Sequence, residues 1–129
     1  MKKYGLPKTE RIKSRREVKL LFEGKIISID VYPLKVLYRW EELAEGEKPV
    51  AKIMVSVPHK RIKRAVKRNL IKRRVREAYR LNKEIIAEKV IGRNQKLLIA
   101  FVYVSSSVKD FDIIKKAVIT ALTKIANHA

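Results

Sequence analysis

The sequence predicts one mixed α/β domain over residues 1–129, a two-layer α+β sandwich with a central mixed sheet in the order αβββαβα. Three observations lead there. Apolar residues alternate with period two over 34–40 and recur at helical spacing over 71–86 and 111–125, so strands and amphipathic helices both occur. The run 97–104 is apolar almost throughout, which suits a strand buried on both faces. Between two predicted strands, residues 62–90 hold no Gly or Pro, as a long helix crossing from strand to strand requires. At 129 residues and 47% hydrophobic, the chain suffices for one core but not for two ordinary domains.

In chain order, Ser14-Arg15-Arg16-Glu17 is a capping box, Ser14 accepting from the amide of Glu17 while Glu17 reaches back. Val18, Leu21 and Phe22 form the apolar face of the helix that follows, and Gly24 stands where it should end. A short strand is expected at Ile26–Ile29, and Pro33 opens a second. There Leu34, Val36, Tyr38 and Trp40 alternate with Lys35, Leu37 and Arg39. The acidic stretch Glu41 to Pro49 reads as a hairpin loop, with Glu41, Glu42, Glu45 and Glu47 as solubilising charge. Val50 to Val57 returns as an antiparallel strand, stopped by Pro58. The long helix carries a stripe of Ile71, Val75, Ala78, Tyr79, Ile85 and Ile86 and closes at Gly92. Asp110 caps a last helix faced by Phe111, Ile114, Val118, Ala121, Leu122 and Ile125.

Charge points to the partner. Lys+Arg 32 against Asp+Glu 13 gives a formal net charge of +19, a self-repulsion that a polyanion relieves. Eleven cations lie between Lys60 and Arg80, against the single acid Glu77. Lys60, Arg64, Arg68, Lys72, Arg76 and Arg80 recur every fourth residue, a ridge of like charges that weakens an isolated helix. Solvated faces usually interleave Glu with Lys, so a merely solvated face explains this run poorly. A membrane-surface helix needs a broad apolar face, and this stripe is narrow and claimed by the sheet. The run therefore reads as a phosphate-binding surface. Phe22, Tyr38 and Trp40 are candidates for base stacking, or equally for core.

No catalytic constellation is expected. The chain has no cysteine, which excludes disulfides and thiol chemistry and accords with a reducing compartment. His59 and His128 lack a carboxylate at triad or metal-ligand spacing. Asp110 and Asp112 stand at a helix start, where capping is their use, and the four glycines form no phosphate loop. Neither a signal peptide nor an apolar run of membrane-spanning length is found, so a cytoplasmic protein without a membrane partner is expected.

Ala65-Val66-Lys67-Arg68-Asn69-Leu70-Ile71-Lys72-Arg73-Arg74-Val75-Arg76-Glu77 resembles the signature helix of the bacterial ribonuclease P protein family. That pattern is Ala-Val, any residue, Arg-Asn, two residues, Lys-Arg, two residues, Arg-Glu, and every fixed position is met. Leu6 to Ile12, Phe22 to Lys25 and Pro33 to Tyr38 are similar too, so the likeness runs over nearly the whole chain. Two departures stand out: Val18 where the family often has an aromatic, and a Pro58-His59 connection one residue longer than in many members.

The resemblance implies a subunit that joins a catalytic RNA, the complex removing the 5′ leader of precursor tRNA. Hydrolysis would be the RNA's, with Mg2+ held mainly by the RNA and no catalytic or metal-binding residue in the protein. Arg64, Arg68, Asn69, Lys72, Arg73 and Arg76 would contact the catalytic RNA. A cleft between the first helix and the sheet would hold the leader, with Phe22, Tyr38 and Ser56 as contacts. No obligate protein partner is implied. The resemblance also implies a left-handed βαβ crossover, whereas connections of this kind are right-handed in roughly 98% of cases. A structural RNA-binding protein of ribosomal type is the rival reading; a protein-only nuclease would need the clustered carboxylates this sequence lacks.

Overall fold

The computed structural model describes residues 6–23 and 25–128. A 3₁₀ turn, Lys8–Glu10, leads to α1 (Arg15–Phe22), β1 (Ile27–Val31), β2 (Leu34–Glu41) and β3 (Val50–Ser56). Then come α2 (Ala65–Asn82), α3 (Glu84–Arg93), β4 (Lys96–Tyr103) and α4 (Phe111–Asn127). Gly24, expected to close α1, lies outside the described residues.

The sheet order is β1-β2-β4-β3, with β4 antiparallel to β2 and parallel to β3. The expected β2–β3 hairpin is therefore corrected. The strand with the longest apolar run, β4, takes a central place between them, because only there are both its faces covered. The acidic loop spans the end of β4 instead of turning back on β2. Its glutamates have structural partners: Gln95 donates to Glu42 at 2.6 Å, and Lys96 pairs with Glu47 at 3.2 Å. The hairpin that does form joins β1 to β2 through Tyr32 and Pro33.

The long helix is likewise corrected, into α2 and α3. Asn82 turns its side-chain amide onto the Ala78 carbonyl at 2.8 Å, and Lys83 reaches away to Glu10 at 3.1 Å. Such a side-chain bond competes with the helix ladder, and the chain resumes through Ile86 N–H to Lys83 O. Gly92 sits inside α3. The left-handed stop falls to Asn94 (φ 53°, ψ 47°), whose amide donates to the Val90 and Ile91 carbonyls.

Alternation along the strands divides the sheet into two faces. One face packs Val36, Tyr38, Ile53, Ile99 and Phe101 against α2, α3 and α4. The other packs Leu37, Leu98 and Ala100 beneath Leu21 of α1 and Ile12. Asp110 caps α4 as expected, accepting from the Ile113 amide at 3.1 Å. Ser14 caps α1, accepting from Arg16 and Glu17 at 3.1 and 3.3 Å. Glu17 does not complete the box. It is 7% exposed and turns into the sheet, where Lys52 and Lys96 each approach it to 3.1 Å.

Candidate nucleic-acid interface

Helix α2 buries Ile71, Val75, Ala78 and Tyr79, which fixes the direction of every other side chain on it. Opposite that stripe stand Val66, Asn69 and Arg73, exposed, with Arg64 and Lys67 exposed at the first turn. Lys72 and Arg76 lie on the flank, half-buried. Lys60 precedes the helix, so the fourfold ridge begins at Arg64, the N-cap residue. Its members are not equivalent. Arg68 donates to the Ile62 and Lys63 carbonyls at 2.9 and 2.7 Å and so pins the loop entering the helix. Arg80 is held by Glu77 at 2.6 Å. Arg74, off the ridge, is tied to the Lys109 carbonyl at 2.6 Å. The outward cations are thus Arg64, Lys67 and Arg73, with Lys72 and Arg76 beside them.

Arg76 has a neighbour that the sequence pattern did not single out. Arg11 forms a parallel bridge with Ile53 on the outer edge of β3. Burial, and then the charge of Arg11, pull the Arg76 guanidinium below its ordinary value. With Lys13 and Met54 they line a cavity of about 320 Å³ linking α2 to the α1 face of the sheet. Two like charges held together in a partly buried hollow are relieved by an anion. The signal lay in tertiary pairing, since Arg11 and Arg76 are far apart in the chain.

On the α1 face, the helix crosses the strands near Lys52, Leu98 and Arg39. Glu17 holds its start to Lys52, and Arg39 donates to the Leu20 and Glu23 carbonyls at 2.9 and 3.0 Å, satisfying its last turn. Burial alone would lower Lys96, but the hydrogen bonds it donates to Glu17 and Glu47 outweigh it and hold that ammonium above its ordinary value. Phe22 stands 49% exposed at the end of α1, and Val18 is half-buried on the sheet. Ser56 shares this face with Met54 and Lys52, two and four residues back along β3, which puts it about 13 Å from Lys52. Tyr38 does not share it. It is 2% exposed in the core against α2, α3 and α4, and burial raises its phenol above the ordinary value. The one-residue alternation of β2 puts Leu37 and Arg39 on the α1 face instead, so Tyr38, expected as a contact in that cleft, lies on the opposite side of the sheet. Trp40 is also occupied, its ring lying 4.3 Å beneath the Arg93 guanidinium.

Among the described residues no group of three or more His, Cys, Asp or Glu is placed to hold a metal ion. No described helix is long and apolar enough to cross a membrane. A mixed α/β sandwich that turns a cation-dense helix outward is a protein built to bind a polyanion.

The comparisons identify which kind. The Ribonuclease P family model matches residues 6–126. Ribonuclease P protein components from two strains of Porphyromonas gingivalis are 42% identical over 126 residues, covering 97% of this chain and 89% of theirs. That of Methylococcus capsulatus is 38% identical over 78 residues, 60% of this chain and 56% of its own. The RNase P protein from Thermotoga maritima shares the fold at TM-score 0.67 and 24% identity, over 89% of this chain and 96% of that one. A Staphylococcus aureus RNase P protein mutant does so at TM-score 0.67 and 22% identity, over 93% and 90%. The chain belongs to the ribonuclease P protein family.

Proposed function

We propose that this chain acts as the protein subunit of ribonuclease P, binding the catalytic RNA through α2 and the 5′ leader of precursor tRNA on the α1 face. The observation that carries the reading is the outward cation set of α2, which falls on the family's signature helix. Arg64, Lys67, Lys72, Arg73 and Arg76 neutralise phosphates, and Asn69 sits among them on the outer strip as a neutral hydrogen-bonding group. Arg68 acts mainly by holding the 62–63 loop in place. In the groove, the exposed ring of Phe22 offers a stacking surface, and Ser56 lies on the floor with Lys52 behind it. Stacking and backbone charge recognise single strands with little regard to sequence, which suits leaders of varied sequence.

In this reading magnesium enters through the RNA, and among the described residues no group of three or more His, Cys, Asp or Glu is gathered to hold it. The protein's part is to lower the repulsion between RNA and substrate phosphates, so that fewer free ions are needed. The test is cleavage of a precursor tRNA by a bacterial ribonuclease P RNA at near-physiological magnesium. The protein should raise the rate strongly, and the double change Arg73→Ala, Arg76→Ala should remove the gain. Tight RNA binding without stimulation would instead indicate a structural RNA-binding protein.

A further inference from the structure

The hollow between α2 and β3 holds a donor that the fold leaves unused. The Nε of Arg11 is buried and has no hydrogen-bond partner among the described residues. Its backbone is firmly placed: the Arg11 amide donates to the Lys8 carbonyl at 3.1 Å, and the next amide, of Ile12, donates to the Ile53 carbonyl at 2.9 Å. A buried N–H without an acceptor is costly, and native structures rarely leave one without a reason. Lys13 and Arg76 add two more cations to the lining, and among the described residues no carboxylate lines it. Elsewhere the fold does supply carboxylates, for Lys52 and Lys96 are met by Glu17, and Lys83 by Glu10. The three cations of the hollow are left to a partner.

An oxyanion completes this arrangement. A phosphate offers several acceptor oxygens to a guanidinium fork, whereas an uncharged base would leave three cations uncompensated. Position then selects the strand. Ile12 and Met54, two of the walls, pack in the cluster beneath α1. Met54 lies between Lys52 and Ser56 on the floor of the α1 groove. From α2 only Arg76, on its flank, lines the hollow. A strand leaving the groove over the edge of β3 therefore meets this hollow before the rest of α2. We propose that the hollow is a socket for one phosphate of the precursor tRNA leader, gripped by Arg11 with Lys13 and Arg76 beside it. The inference rests on the leader-binding reading of the α1 face given above, and adds the residue that fixes the strand's register there.

The experiment uses the holoenzyme, reconstituted from this chain and a bacterial ribonuclease P RNA. Affinity is measured for precursor tRNAs in which one leader linkage at a time is a neutral methylphosphonate. One linkage should cost the parent roughly tenfold, the scale of a hydrogen bond to a charged group, at the same place in leaders of different sequence. Arg11→Met keeps the stem and removes the guanidinium, so the free protein should melt no lower than the parent. It should weaken binding of the unmodified leader by a similar factor and abolish the effect of that one linkage, a signature that a merely structural residue would not give. Absence of a sensitive linkage overturns the proposal, and so does a linkage effect that persists in Arg11→Met. Affinity of the protein for the catalytic RNA alone should not change; a loss there without a linkage effect assigns the phosphate to that RNA and also overturns it. Phe22→Ala is the control for the groove and should weaken binding of precursor but not of mature tRNA. If it does while no linkage answers to Arg11, the groove reading stands and the socket falls.

Discussion

Helices α2 and α4 are nearly the same length, 18 and 17 residues, and pack against the same face of the sheet, yet they are built to opposite ends. Helix α4 buries seven residues, from Ile114 to Ala126, and is capped by Asp110. Helix α2 buries four, has no side-chain cap at Arg64, and carries repeated like charges. Its own surface opposes its folding, and packing of Ile71, Val75, Ala78 and Tyr79 holds it in place. The difference separates residues that make the fold from residues that the fold presents to a partner.

The contrast should break most visibly in α4. Leu122→Ala, at a fully buried site, should destabilise the protein by about 3 kcal/mol in denaturant unfolding. The double change Arg73→Ala, Arg76→Ala should do the reverse, costing little stability but much RNA affinity. With about five phosphate contacts, log K for RNA against log salt should slope near −4, and this double change should flatten it by about 1.5. An unaltered slope would mean that α2 is not the contact surface.

The capping residues sharpen the comparison at a smaller scale. Asp110→Ala should lower stability by about 1 kcal/mol through loss of the cap on α4. Arg64→Ser should raise stability by about 0.5 kcal/mol, because Arg64 already has the extended backbone of an N-cap, while weakening RNA binding. Smallest of all is Glu77. A hydrogen bond from Arg80 holds its carboxyl below the usual range, so its stabilising share is present above that range and lost as pH falls through the lowered value. Glu77→Gln should therefore make stability slightly less sensitive to acid, as read by denaturant unfolding at neutral and acid pH.

Much of this was legible in the residues. The caps at Ser14 and Asp110 are local hydrogen bonds between near neighbours, and α4 and the apolar run of β4 are set by periodicity within one element. The cation density of α2 is a property of the segment itself. Local energetics decided these features, so no knowledge of the remaining chain was needed.

What escaped the sequence depended on distant partners. A hairpin between β2 and β3 satisfied every local signal, but only the competition among strands for the sheet's interior placed β4 between them. The break at Lys83 goes with the Asn82–Ala78 bond and the ion pair to Glu10, the second far back in the chain, with no glycine or proline to announce it. Tyr38 alternates correctly on its strand, yet which face met α1 depended on how the layers stacked. The meeting of Arg11 with Arg76 in one hollow belongs to no single segment. The sequence by itself determined the elements, their apolar faces and the charge. Tertiary structure alone decided strand order, the facing of each side and the meeting of remote residues, because those are contests between segments that periodicity and charge counts do not contain.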